Sequence, residues 1–201
     1  MNKVAQIKIT LANIRPPIWR RVLIDVTSTL ADLHEIIQYT MGWEGYHLHA
    51  FDVAGMRYDP DPKAAAELLG YWQEKPQDEH DCTIEQLLRC GTGAFTYEYD
   101  FGDDWVHKIK IEKVLDPVPG QRYPTCIKGK RACPPEDCGG PWGYASMLET
   151  LQGPDSQEKK ELCDWLDADD FDPEYFDLEE SNKGLEFIQP GAVDARLPVD
   201  F

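Results

Sequence analysis

The sequence predicts an α+β fold: a mixed sheet with a β-grasp-like N-terminal part, a central antiparallel hairpin, and C-terminal helices packed on the sheet. Three observations predict it. Apolar and polar residues alternate through Ile7, Ile9 and Leu11 and again through Val22, Ile24 and Val26, the period of half-buried strands. Leu30, Leu33, Ile36 and Ile37 then form a helical stripe. Finally, Phe95, Tyr97, Tyr99 and Phe101 lead through Gly102-Asp103-Asp104 to Trp105, His107, Ile109 and Ile111, the clearest hairpin signal in the chain.

In chain order, Pro16 and Pro17 separate the first two strands. Thr29-Leu-Ala-Asp32 reads as a capping-box start for the helix, and Gly42 as its stop. His47 to Val53 alternates as a further strand, turning at Gly55 towards Tyr58. Residues 59–81 are polar and contain proline, which predicts an insertion with a short helix over 64–69. Thr83-Ile-Glu-Gln86 caps a helix through Leu88 that ends near Gly91. In the hairpin's return strand His107 points to the apolar side, while Val106, Lys108, Lys110 and Glu112 form a mostly polar face. A Cys-rich loop leads to a helix over about Tyr144 to Leu151, closed by Gly153-Pro154. Asp155-Ser-Gln-Glu158 caps another helix carrying Leu162, Trp165 and Leu166. Asp172-Pro173 reads as an N-cap and first-turn pair for a last short helix through Phe176. No linker divides the chain, which predicts one domain over 1–184 and a tail over 185–201.

The chain of 201 residues carries 20 basic and 37 acidic residues, a net charge of -17. Charge of that sign repels phosphate backbones at long range and argues against generic nucleic-acid binding. The distribution is uneven. Met1 to Ile24 holds five basic residues and no acidic one, whereas Glu149 to Glu180 holds thirteen acidic residues against Lys159 and Lys160. A local basic patch therefore stays open at the N-terminal end, beside the plainer reading of lysines that protect a sheet edge. The opening residues alternate rather than running apolar, and no apolar run approaches the length of a membrane span, so no membrane partner is expected. A cytoplasmic location follows, with the six cysteines as thiols or metal ligands rather than a disulfide framework.

The most specific segment runs Cys126-Ile-Lys-Gly-Lys-Arg-Ala-Cys133-Pro-Pro-Glu-Asp-Cys138-Gly-Gly-Pro-Trp-Gly-Tyr144. Structural zinc takes four soft ligands, with thiolates at about 2.3 Å, and Gly and Pro turns let a backbone curl round the ion. The intervening spacings of six and four residues are not the paired spacing of a zinc finger, so a fourth ligand must come from elsewhere. His107 is the first candidate because it faces inward, with His47 or His49 as runner-up. The plainer reading is a rigid loop with cysteines as small apolar fillers.

His47 and His49 share a strand face with Phe51 and could bind metal, act as acid and base, or form a satisfied pair. Together with His107 they would give an open facial site of the kind metalloenzymes use. Asp100, Asp103 and Asp104 flank the hairpin turn, and Glu136 and Asp137 lie inside the Cys loop, where carboxylates are commonly turn formers. Gly139-Gly140 could present N–H groups to an anion, but no phosphate-loop, dinucleotide or serine-nucleophile motif is present.

Four stretches together resemble the plasmid pRiA4b ORF-3-like family. They are Trp43-x-x-Tyr-His-Leu-His-x-Phe51; Tyr99-Asp-Phe-Gly-Asp-x-Trp-x-His107; Ala132-Cys-Pro-Pro-Glu-Asp-Cys-Gly-Gly140 with Gly143-Tyr144; and Phe171-Asp-Pro-Glu-x-Phe176. The likeness spans about Ile7 to Asn182. It implies a compact α+β domain, some relatives of which are described as passenger proteins of insertion elements. His49, Asp100, Gly102, Asp103, Trp105, His107, Cys126, Cys133, Pro134, Glu136, Asp137, Cys138, Gly139 and Tyr144 sit at its motif positions, and no role comes with them. The leading expectation is a non-enzymatic accessory domain with a protein partner, its Cys loop held by zinc on Cys126, Cys133, Cys138 and His107. The alternatives are a metal-dependent hydrolase, acting on nucleic acid, built on the strand histidines and nearby carboxylates, and a nucleic-acid-binding partner of a transposition system.

Overall fold

The computed structural model describes residues 2–70, 75–167 and 171–188. Eight strands form one sheet: β1 (Val4–Leu11), β2 (Trp19–Asp25), β3 (His49–Val53), β4 (Met56–Asp59), β5 (Gln77–Asp78), β6 (Ala94–Tyr99), β7 (Trp105–Leu115) and β8 (Thr125–Lys130). Their order is β5-β4-β3-β6-β7-β1-β2-β8, antiparallel throughout except for β4 with β5. The helices are α1 (Leu30–Met41), α2 (Pro62–Leu69), α3 (Ile84–Arg89), α4 (Gly140–Gln152), α5 (Gln157–Leu166) and α6 (Glu180–Lys183).

The local signals translate directly. Thr29 accepts from the Asp32 N–H while Asp32 accepts from the Thr29 N–H, so the reciprocal capping box starts α1, and Gly42 ends it in a left-handed conformation. Thr83 and Gln86 do the same for α3. In β1, Ile7, Ile9 and Leu11 face the core opposite Ile111, Ile109 and His107 of β7. Leu30, Leu33, Ile36 and Ile37 of α1 are buried in the same cluster, which is how the helix covers one face of the sheet. Strand, strand, helix and strand follow in chain order as expected. The β6–β7 hairpin lies between β3 and β1, so the two halves of that N-terminal segment are not neighbours.

Two local expectations give way. Residues 172–176 form a turn rather than a helix. Asp172 accepts from the Glu174 N–H through its side chain and from the Tyr175 N–H through its carbonyl, an Asx turn that competes with helix initiation. The segment after Pro124 is not yet loop: Cys126 lies in β8, paired with Val22 of β2. The boundary expected at 184 falls at the start of a short 3-10 turn, Gly184–Phe187, whose Leu185 is buried in the core, as is Ile188. Residues 189–201 of the expected tail lie outside the described residues.

The outer side of β8 is closed by one side chain. Asn182 accepts from the Cys126 N–H at 2.8 Å and donates to the Cys126 carbonyl at 2.9 Å, standing in for a ninth strand. Asn182→Ala should therefore cost about 1–3 kcal/mol in urea unfolding, the penalty for leaving those two backbone groups without partners.

Candidate metal centre

Three segments converge at one end of the sheet: residues 43–48 after α1, the β6–β7 turn, and the Cys133–Gly140 loop before α4. The loop is tied down by the first two. Trp43 donates through Nε1 to the Pro134 carbonyl at 2.8 Å, and the Glu44 N–H donates to Glu136 at 2.8 Å. The other Glu136 oxygen accepts from the Tyr99 hydroxyl, which also receives the His47 N–H at 3.4 Å. Glu136 is thus spent on position, with both oxygens occupied. From the turn, Asp103 accepts from the Gly139 N–H at 3.0 Å.

The result brings His47, Asp100 and Asp137 together. His47 Nε2 lies 3.2 Å from Asp137 Oδ1 and 3.8 Å from Asp100 Oδ2, and one ligand atom from each residue falls within 4.8 Å of the others. Ligands at about 2.1 Å from a tetrahedral ion stand roughly 3.4 Å apart, so the spacing suits a cation. Asp100 and Asp137 both hold positive φ angles, 55° and 58°, and Asp104 repeats this at 55°. Such backbone costs about 1–3 kcal/mol per residue and gathers at functional sites. Asp100 Oδ1 caps its own turn by accepting from the Gly102 N–H at 3.0 Å, which leaves Oδ2 for His47. The side chains are 29%, 14% and 72% exposed for His47, Asp100 and Asp137, so the site opens to solvent. Asp137 also stands at the end of a groove of about 330 Å³ between α4 and α5, lined by Cys138, Met147, Leu162 and Trp165.

The set of Cys126, Cys133, Cys138 and His107 is not gathered. No three of those atoms come within 4.8 Å of one another. The sheet order explains this: β1 and β2 lie between His107 on β7 and Cys126 on β8, about three strand spacings or 14 Å across. Cys126 faces the core, and Cys133 and Cys138 are half-buried in the loop. Burial pushes both loop thiols up to about 12, and the Arg20 guanidinium pulls Cys133 back only in part. They are protonated at neutral pH, as apolar fillers are. His107 is fully buried. Its Nδ1 meets the Trp105 carbonyl at 3.0 Å, Nε2 has no partner, and the ring packs on Trp43 and Tyr97. Burial lowers its pKa to about 4. Trp105, expected at a site, is core, with its indole N–H also without a partner.

His49 separates from His47 as well. It is buried against Glu79 at 3.0 Å and stacks on His34, with ring centroids 3.6 Å apart. His34 Nδ1 meets the Tyr97 hydroxyl at 2.7 Å, and that hydroxyl also accepts from Gln38. Burial, then the neighbouring His49, holds His34 well below the ordinary histidine value. Sequence reading missed Glu79, Tyr99 and Glu44 as supports. Only Tyr99 carried a signal, as a member of the hairpin motif.

Comparison with known proteins agrees with this architecture. An uncharacterized protein of Sinorhizobium fredii, y4hQ, is 34% identical over 185 residues, 91% of each chain. The crystal structure of MM3350 from Methanosarcina mazei Go1, described as a protein of unknown function, matches with a TM-score of 0.79 and 37% identity over 90% of this chain and 98% of its own. The plasmid pRiA4b ORF-3-like family pattern matches residues 3–180, and the chain belongs to that family.

Proposed function

We propose that this domain binds a divalent cation through His47, Asp100 and Asp137 and uses it in a hydrolytic reaction. The observation that carries the reading is the convergence of one imidazole and two carboxylates from three separate segments, two of them on left-handed backbone. One nitrogen and two oxygens form a donor set for Zn²⁺, Mn²⁺ or Fe²⁺ rather than for a thiolate-bound ion. Three protein ligands leave positions for water, the arrangement of catalytic rather than structural metal sites. Bound water would then serve as nucleophile, and the groove beyond Asp137 gives a substrate room. The Cys loop in this reading is structural: it carries Asp137 to the site. No helix among the described residues is long and apolar enough to cross a membrane.

Titration calorimetry with Mn²⁺ and Zn²⁺ on chelator-treated, reduced protein tests the site. His47→Ala and Asp137→Asn should each weaken binding by at least about tenfold, the scale set even by groups that only support a ligand. Cys133→Ser and Cys138→Ser should leave binding intact. Loss of uptake in the cysteine variants, or no uptake by the parent protein, defeats the reading.

A further inference from the structure

The sheet has two faces. Helix α1 covers one, and the other, across β7, β1, β2 and β8, carries a charge pattern opposite to that of the whole chain. Register makes the pattern visible. Lys8 of β1 stands directly between Lys110 of β7 and Arg21 of β2, and Arg21 is in turn opposite Lys128 of β8. One row of four cations thus crosses four adjacent strands. The next row reads Lys108, Thr10, Trp19 and Lys130. Lys108, Lys110, Lys128 and Lys130 are exposed, and Lys8, Trp19 and Arg21 are half-buried. Glu112 lies on the same face of β7. Arg21 pairs with it at 2.7 Å and Gln6 donates to it at 2.7 Å, which together hold its carboxyl down at about 2. Among the described residues, Lys8, Lys108, Lys110, Lys128 and Lys130 have no carboxylate within 4.0 Å.

Like charges directly opposite on neighbouring strands destabilise a sheet. In the finished sheet, edge protection does not explain Lys108, Lys110, Lys8 and Arg21, because β7, β1 and β2 are interior strands; only Lys128 and Lys130 stand on the edge strand β8. Solubility does not either, since 37 acidic residues already supply charge. A polyanion laid across the strands would turn the repulsion into attraction.

We propose that this open face, across β7, β1, β2 and β8, is a docking surface for single-stranded nucleic acid. The face is about 14 Å wide from β7 to β8, with its cation row running across the strands, a width that suits a single strand better than a duplex. An aromatic ring sits within the cation field: Lys8 Nζ lies 5.0 Å and Arg21 Cζ 5.1 Å from the Trp19 ring centroid. Cations that follow a backbone, interleaved with an aromatic surface for a base, are how single strands are held without sequence preference. The chain's charge of -17 does not forbid this. At physiological salt the screening length is about 8 Å, so a strand on the four-strand patch feels its lysines more than the acids outside it, while Glu112 within the patch is already paired with Arg21. The proposal stands apart from the metal reading: it uses other residues, on β7, β1, β2 and β8 rather than at the end of the sheet where His47, Asp100 and Asp137 meet.

Fluorescence anisotropy of a labelled oligothymidylate of about 20 nucleotides with the intact chain tests it. With about five phosphates neutralised, affinity should fall roughly 100-fold between about 50 mM and 200 mM salt. The triple variant Lys108→Glu, Lys110→Glu, Lys128→Glu should lose at least about 30-fold in affinity. The control, Lys63→Glu, Lys159→Glu, Lys160→Glu, has the same net charge and should retain binding. A Lys→Gln version of the face variant should lose less, and circular dichroism checks that each is folded. No binding at low salt overturns the proposal, as does equal loss in face and control variants. Tighter binding to duplex, binding to phosphatidylserine vesicles but not to the oligonucleotide, or dimerisation through this face without nucleic acid also overturns it.

Discussion

Gly140→Ala is expected to lower the free energy of unfolding by roughly 2–5 kcal/mol, the sum of left-handed backbone strain and overpacking. Gly140 has a φ of 68°, and a Cβ there would meet the Asp103 carbonyl oxygen at 2.3 Å. That atom belongs to the backbone of the β6–β7 turn and cannot rotate aside. The turn and the start of α4 would have to part, taking Asp137 away from Asp100. Gly139→Ala is the internal control. It shares a positive φ of 87°, but its Cβ would meet only the Gly143 Cα at 3.5 Å, so about 1–2 kcal/mol of strain is all it should cost. Urea midpoints of the two variants give the comparison, and equal losses would mean the contact with Asp103 does not matter.

Acid should weaken the fold through His107 before most carboxylates titrate. The folded-state pKa of about 4 lies below the ordinary 6.5 because a fully buried imidazole cannot hold a charge. The unfolded chain takes up that proton as pH drops through 6.5, while the folded chain refuses it until about 4. Stability is therefore fully present above about 6.5 and declines towards 4, by roughly 3 kcal/mol for this one group. His34, also lowered, adds in the same direction. In His107→Leu the slope of unfolding free energy against pH over this window should flatten by that amount. An unchanged slope would show that some other group sets the acid limit.

Much of the fold was legible because its signals are local. The α1 capping box, the Gly42 stop and the alternation of Phe95 to Ile111 each depend on residues a few positions apart. What failed depended on packing order. The alternation that put His107 on the apolar side was right, but it could not reveal that β1 and β2 stand between it and Cys126. His47, Asp100 and Asp137 were each visible as chemistry-bearing residues. Their convergence rests on Glu136 being bound by Tyr99 and by the Glu44 N–H, contacts spanning 37 and 92 positions. The lysine face was half visible in Lys108 and Lys110, and needed the register of β1, β2 and β8 to become a surface.

The place of β7 beside β1 has a consequence for the order of events at synthesis. Val4 pairs with Leu115 and Leu11 with His107, so β1 must wait for about a hundred further residues before its second neighbour exists. At the usual pace of translation that is roughly 5–20 s during which the β1–β2 hairpin has one side unpaired. Pairing so distant in the chain is slow to form, and an unpaired apolar strand invites association with other nascent chains. Lys3, just before that strand, and Lys8, in its middle, are the charges available to discourage it in the interval.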